Sequence, residues 1–389
     1  MNIQNLSLTN FRNFSSKKVV FDPKLTVILG PNGVGKSNIL EAVGLLAATR
    51  IHKVDTDLDF VRFGQADAKV EGQIDGDETP FRPDYADAST GRQGSAGQGK
   101  TLTINLQIDD PQYSSSERSE SKSNRGSSPQ GRTIYKPYVR KTYYIDGIKK
   151  RLVDFTEHFA IVVFEPSDLE LVSGSPSDRR HHLDTLLASI NRDYWRAISN
   201  YNKIVVRRNK VLQRILDGKS KKSELDFWDE RLLEHGKYLT EARQQFFEFI
   251  NFVNGKRGGY SWQIKQSLVT DEKLARNRDR DIAAGVTLSG PHRDDFVFLF
   301  RDKNLEFFGS RGEQRMAVLA LKLAELEYCN SKRGARPILA LDDIFSELDW
   351  EHREAVLGVI DKQQTIITAA EAESLPKQIF KKSKVVELR

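Results

Sequence analysis

A single cysteine, Cys329, stands among 389 residues. One thiol can neither build a disulfide framework nor anchor a Cys-rich metal site, so it is expected to be a small buried residue on a helix. No stretch approaches the roughly 18 apolar residues that a membrane span needs. The opening MNIQNLSLTNFRNF alternates polar and apolar residues and lacks the apolar run of a signal peptide. Neither sign of charge dominates: 60 Lys and Arg stand against 54 Asp and Glu, a net of +6. Such a balance suits a polyanionic partner, and equally a basic protein without one. A soluble, cytoplasmic protein of two or three domains with no membrane contact is expected.

What is present reads as a split α/β protein. LSLTNF and KKVVF are short strands, LTVIL (25–29) is a buried strand, and SNILEAVGLLAA (37–48) is an amphipathic helix. Aliphatic residues then almost vanish. Residues 76–100 hold five glycines, and residues 109–132 hold eight serines between Ser114 and Ser128. Both tracts read as a flexible insert, about 76–132, in an antiparallel sheet. Its strand TLTINLQI (101–108) lies between them, and the sheet resumes at TIYKPYVRKTYYIDGIKKRLV. HFAIVVFEP (158–166) is a buried strand. SPSDRR then opens a long helix to about Leu216, some 55–60 Å at about 1.5 Å per residue. A second helix runs from an N-cap at Ser223 to Asn254. Residues 286–308 return to strands, PILALDD (337–343) is a strand ending in acids, and VLGVIDKQQTIITAA ends a helix and adds another strand. The expectation is a nucleotide-binding core in two halves, 1–177 and 257–389, separated by a helical arm, 178–256.

GPNGVGKS comprises Gly30, Pro31, Asn32, Gly33, Val34, Gly35, Lys36 and Ser37. It follows a strand and opens a helix, the setting of a phosphate-binding loop. Its glycines let backbone N–H groups face a phosphate, Lys36 is the point charge on the β- and γ-phosphates, and the Ser37 hydroxyl is a ligand for Mg²⁺. LALDDIFSELD (339–349) adds Asp342, a candidate Mg²⁺ acid acting through water, and Asp343, a candidate holder of the attacking water. Taken alone, the two acids could equally be an N-cap after a strand.

SRGEQR (310–315) opens an otherwise ordinary apolar helix. Serine and glycine at a helix N-terminus beside guanidinium charge make an anion site. The chain already has one such terminus at Ser37. A second, formed by Ser310, Arg311, Gly312 and Gln314, makes sense if it caps the γ-phosphate of ATP held by another copy in a head-to-tail homodimer.

The first arm helix carries an excess of six positive charges. Arg179, Arg180, Arg207, Arg208, Lys210 and Arg214 are its candidate phosphate contacts, against the alternative of a solvated face. No base-reading element is evident, so DNA contact is expected to be with backbone or structure. His292 in GPHRDD lacks a third convergent metal ligand. A packing or capping role is expected for it, and likewise for His181 and His182.

Together these motifs resemble the ABC ATPase class, with SRGEQ at the signature position and SELD (346–349) at the D-loop. More narrowly the chain is similar to the RecF family. NFRNF (10–14), GPNGVGKSNILEAV (30–43), VVFEPSDLELVSGSPSDRRHHLD (162–184), YNKIVVRRNKVLQ (201–213), LSGPHRDDF (288–296), SRGEQR and LDDIFSELD carry the likeness. The resemblance implies an ABC-type P-loop ATPase head, a mixed sheet with an antiparallel β subdomain, plus a helical arm lobe. It implies ATP and Mg²⁺ as cofactors and ATP-induced dimerisation on gapped or single/double-strand junction DNA. It further implies help with RecA loading alongside RecO and RecR, in a nucleoid-associated setting. Glu313 stands where the family often has Gln, Asp343 is shorter than the Glu of transporter ATPases, and Thr368–Ala369 replace their switch histidine. A weak DNA-dependent ATPase, a switch rather than a motor, is therefore expected, with release on slow hydrolysis. An ATP-binding scaffold or an SMC-like DNA-binding head without turnover is the alternative. The arm is too short for an SMC tether. An OLD-type nuclease would need an acidic metal domain, whereas the chain ends about 20 residues after its last expected strand. A transporter subunit fits least.

Overall fold

The computed structural model describes residues 2–47, 57–75, 99–109, 137–255, 259–346 and 350–389, without the side chains of 350–352 and 355. Most of the expected insert and the acidic end of the D-loop (347–349) lie outside the described residues. The chain divides into two compact units, Met1–Phe159 with Ile366–Arg389, and Ala160–Thr365.

In the first unit six strands form an antiparallel sheet, in the order Phe14–Val20, Asn2–Phe11, Asp67–Asp75, Lys100–Asp109, Tyr138–Ile145 and Ile148–Lys150. Asp67–Asp75 alternates buried and exposed positions, as a half-covered strand must. Gly72 leaves room for Leu46, at the end of the helix Lys36–Leu46, so that helix rests directly on the sheet. Leu25–Leu29 pairs in parallel with Lys384–Glu387, from Thr26↔Lys384 to Leu29↔Glu387. That last strand was not expected. KVVE is short and bounded by charge; beyond that ladder, its buried neighbour Leu388 and the bond from Leu388 N–H to Leu29 O (2.7 Å) help to fix it.

In the second unit Ile338–Asp342 pairs in parallel with Ile161–Phe164, and Tyr260–Lys265, Asp295–Phe300 and Lys303–Asn304 form a small antiparallel sheet. Among the described residues no helix is long and apolar enough to cross a membrane.

The arm departs from expectation. Its first helix is two, Pro176–Ile190 and Arg192–Leu216, interrupted at Asn191 (φ −136°, ψ 110°). Asn191 Oδ1 accepts the N–H groups of Asp193 and Tyr194, both at 2.9 Å. An asparagine that can cap competes with helix continuation, and here the cap wins. The longer piece spans about 37 Å rather than 55–60 Å. Ser223 makes no side-chain cap bond to the helix Glu224–Asn254. Instead, Glu224 Oε1 accepts the Lys221 N–H at 3.2 Å.

These two helices meet along a seam of alternating three- and four-residue steps, the spacing of antiparallel helices packed knobs-into-holes. Tyr194, Ala197, Tyr201, Ile204, Arg208 and Val211 are buried on one, and Leu225, Asp229, Leu232, Gly236, Leu239, Arg243, Phe246 and Ile250 on the other. Two seam positions hold arginines with no exposed surface. Arg208 donates to Asp229 and Asp281 at 2.7 Å and to Thr287 at 2.9 Å. Arg243 donates to Asp184, Asp294 and the Pro291 carbonyl, each at 2.7 Å, and to Tyr194 Oη at 3.0 Å. Removing one partner of a buried pair strands the other charge. Arg243→Ala should therefore lower unfolding free energy by about 3–5 kcal/mol in urea titration.

Candidate functional site

Glycine builds the phosphate loop. Gly33 and Gly35 hold φ of 83° and 106°, left-handed values that side chains resist. A Cβ on Gly35 would lie 2.6 Å from the Phe14 ring, and one on Gly30 would lie 2.6 Å from the Leu388 carbonyl oxygen. Gly35 caps the helix Lys36–Leu46 without a side chain, and no acid stands in its first turn. The first N–H groups thus have no intrahelical acceptor, and the positive end of the helix favours an anion. Lys36 is 7% exposed, and its Nζ donates to the carbonyls of Gly30 (2.7 Å) and Pro31 (3.0 Å), within the curl of the loop. Pro31, Asn32 and Gly33 are exposed, and Val34 and Ser37 are half-buried.

The NFRNF turn supplies residues that motif reading missed. Asn10 and Arg12 take left-handed φ of 49° and 53°. Arg12 grips Glu41, buried on the phosphate-loop helix, through two 2.6 Å bonds, and its guanidinium lies 5.2 Å from the Phe60 ring centroid. Asn13 Nδ2 donates to the Val34 carbonyl at 2.9 Å, while its Oδ1 accepts Asn38 Nδ2 at 2.9 Å. Arg12, Asn13 and Asn38 also wall a groove of about 570 Å³ with Leu58, Val61, Arg62 and the fully exposed Phe63. That volume suits a nucleoside-sized group. Only the reappearance of Asn and Arg around two phenylalanines hinted at this in the sequence.

The second unit carries Asp342, Asp343 and the helix that SRGEQR opens. Asp342 ends its strand at 4% exposure. Asp343 follows at φ 49°, a conformation that aspartate adopts more readily than most residues, and its carbonyl accepts Ser346 Oγ at 2.7 Å. Ser310 caps the helix Arg311–Arg333. Its Oγ accepts the Glu313 N–H (3.3 Å), while Glu313 Oε2 accepts the Ser310 N–H and Oγ–H, both at 2.8 Å. This reciprocal capping box, through the backbone and then the hydroxyl of Ser310, holds the Glu313 carboxyl below its ordinary pKa. The helix N-terminus thus already carries a carboxylate from its own chain. Arg311 and Gly312 are exposed, but Gln314 is engaged, its Nε2 donating to the Leu305 carbonyl at 2.9 Å.

Burial divides the basic residues. Arg179, 4% exposed, donates twice to Asp295 (2.6 and 3.1 Å) and once to the Gly174 carbonyl (2.9 Å). Arg208 is the seam arginine described above. Both are structural cations with carboxylate partners, which corrects their reading as phosphate contacts. Half-buried Arg180 donates to the Asp294 carbonyl at 2.9 Å. Arg207, Lys210 and Arg214 are exposed.

GPHRDD is a packing hub. His292 Nε2–H donates to the Thr287 carbonyl (3.0 Å), which fixes the tautomer, so Nδ1 accepts the Tyr201 hydroxyl (2.8 Å). Asp294 takes Arg243 and the Ser267 N–H, and Asp295 takes Arg179. His182 Nε2 and Glu325 Oε1 lie 2.6 Å apart. Cys329 is buried, and burial pushes its thiol up to about 12.

A family model described as the RecF/RecN/SMC N terminal domain matches residues 2–387. The DNA replication and repair protein RecF of Moorella thermoacetica is 32% identical over 404 residues, covering 100% of this chain and 95% of the relative. The RecF of Roseiflexus castenholzii is 34% identical over 397 residues, covering 95% and 93%. A solved structure of the recombination mediator protein RecF with ATP, of the RecFOR pathway, aligns with a TM-score of 0.76 at 23% identity over 96% of this chain and 93% of its own. An Smc head domain from Pyrococcus furiosus aligns at 0.50 and 14% identity over 100% and 94%. The fold is that of an ABC-type ATPase head.

Burial keeps His292 neutral, its pKa lowered from 6.5 to about 4. Between those values the unfolded chain binds the extra proton, so stability is present above about 6.5 and is lost as pH falls towards 4. Urea midpoints measured at pH 7.5 and 5.5 should fall further for wild type than for His292→Gln.

Proposed function

Because the chain belongs to the RecF family of ATPases, we propose that it is an ATP-dependent DNA-binding clamp of replication and recombinational repair. The observation that carries this reading is the glycine-built loop, with Lys36 buried in its curl, at a strand-to-helix junction. In this reading Gly30–Ser37 cradle the phosphates of ATP, and the groove walled by Arg12, Asn13 and Phe63 takes the nucleoside. Ser37 and Asp342 would hold Mg²⁺, a hard cation suited to hydroxyl and carboxylate oxygen, and the ion would supply positive charge against the phosphates. Asp343 orients the attacking water. Its short side chain and the absence of a switch histidine at Thr368–Ala369 support slow turnover, a DNA-stimulated ATPase that times release.

Ser310, with Arg311 and Gly312, caps the γ-phosphate bound to a second copy, so ATP joins two protomers head to tail. Engagement exchanges the Glu313 carboxylate for a phosphate oxygen at the same donors. Gln314, tied to Leu305, supports the turn before the helix rather than the phosphate. The clamp closes on gapped or junction DNA in the cytoplasm, at the nucleoid, and acts with RecO and RecR to admit RecA. That last assignment rests on family membership and on the pathway named for the solved relative.

Sedimentation with and without ATP·Mg²⁺ and a short gapped duplex tests the clamp. Wild type should pass from monomer to DNA-bound dimer only with ATP. Lys36→Met should lose that response, and Ser310→Arg should bind nucleotide but stay monomeric. A Ser310→Arg variant that still dimerises with ATP would sink the head-to-tail arrangement. Phe63→Ala should weaken ATP binding by about tenfold in calorimetry, the loss of one base–aromatic stack.

A further inference from the structure

The arm helix Arg192–Leu216 carries a second stripe, opposite in character to its seam. Arg196, Asn200, Lys203, Arg207, Lys210 and Arg214 are all exposed and follow steps of four and three residues. At about 100° per residue such a set stays on one face, over about 27 Å of helix. The stripe contains no acid. Arg196 reaches Asp193 at 3.2 Å, whereas among the described residues Lys203, Arg207, Lys210 and Arg214 have no ion-pair partner. Most exposed cations elsewhere on the arm are paired: Lys219 with Asp217, Lys222 with Asp279, Arg231 with Glu234, and Lys237 with Glu241; Lys221 is the exception among the described residues.

Like charges at i,i+3 and i,i+4 repel, so four adjacent unpaired cations work against their own helix. A merely solvated face mixes the two signs, as the companion helix does. At the same spacing that helix exposes Glu230, Glu234, Lys237, Glu241, Gln244 and Glu248. The two outer stripes of the arm are therefore of opposite sign.

We propose that the stripe from Arg196 to Arg214 is the surface along which the arm tracks the sugar–phosphate backbone of duplex DNA. Its length matches about eight base pairs at about 3.4 Å each. Lysine, arginine and asparagine contact phosphate oxygens without reading bases, so the contact is independent of sequence. The acidic stripe repels the same polyanion and so fixes which side of the arm faces DNA. This assignment rests on the DNA-binding reading above and names the surface responsible.

The test uses the full chain carrying Lys203→Gln, Arg207→Gln, Lys210→Gln and Arg214→Gln together, with Arg231→Gln plus Lys237→Gln as control. Anisotropy of a labelled 30-base-pair duplex is followed with ATP·Mg²⁺ from 50 to 200 mM KCl. Four lost phosphate contacts should reduce the log–log salt slope by about 3 to 4, so the fall in affinity across that range shrinks roughly 100-fold. The control should keep the wild-type slope, and duplexes of unrelated sequence should respond alike. ATP affinity and the melting temperature should not fall, since among the described residues these side chains have no ion-pair partner. A quadruple variant with the wild-type slope overturns the assignment, leaves DNA binding intact and turns the stripe into a face for an acidic protein. A wild-type chain that binds no duplex in any nucleotide state overturns the DNA reading itself.

Discussion

Two arginine charges wholly removed from water hold the second unit together. Desolvating a guanidinium costs several kcal/mol, recovered only when geometry is good and every carboxylate is well placed. Arg243 meets that condition by drawing in Asp184 from one helix, Tyr194 from the next, and Pro291 and Asp294 from the GPHRDD turn. Arg208 meets it in part, with Asp229, Asp281 and Thr287 at Nε and Nη1, while its buried Nη2 has no hydrogen-bond partner among the described residues. A seam of leucines alone could slide by a heptad and keep its apolar contacts. One with three charged positions, Arg208, Asp229 and Arg243, whose two arginines each also need an acid from outside the seam, has a single acceptable register.

That register links the arm to the strand Asp295–Phe300. Asp294 takes Arg243, the next residue takes Arg179, and the strand then leads through Lys303–Asn304 to the turn before Ser310. The helix that presents the signature serine is also tied to Pro176–Ile190 through His182 and Glu325. DNA contact on the arm and phosphate recognition at Ser310, as proposed, thus belong to one compact body.

Where a local rule governs, the sequence could be read closely. The phosphate loop was legible because glycine accepts the φ of Gly33 and Gly35 at little cost, whereas Ser310 was read as an anion site and its capping box with Glu313 went unread. What could not be read depended on partners far away in the chain. Arg208 looks like Arg207 in sequence, yet its acids lie 21 and 73 positions on. Nothing in SPSDRRHHLD says that Arg179 will find Asp295, 116 residues later. Asn191 was legible in principle as a cap, but the apolar spacing on both sides hid the break. Lys384–Glu387 is too short to announce itself, and its pairing with Leu25–Leu29 joins residues from opposite ends of the chain.

The carboxylate of Glu313 has a consequence for selectivity. A tethered anion three residues away acts at an effective concentration on the order of millimolar or more, so it competes with every free anion for the Ser310 donors. The triphosphate terminus that a second protomer would deliver, as proposed, brings more charge and would itself be tethered. In the proposed head-to-tail pairing Glu313 would therefore act as a threshold, yielding the Ser310 donors only to an anion that is itself held in place by another subunit.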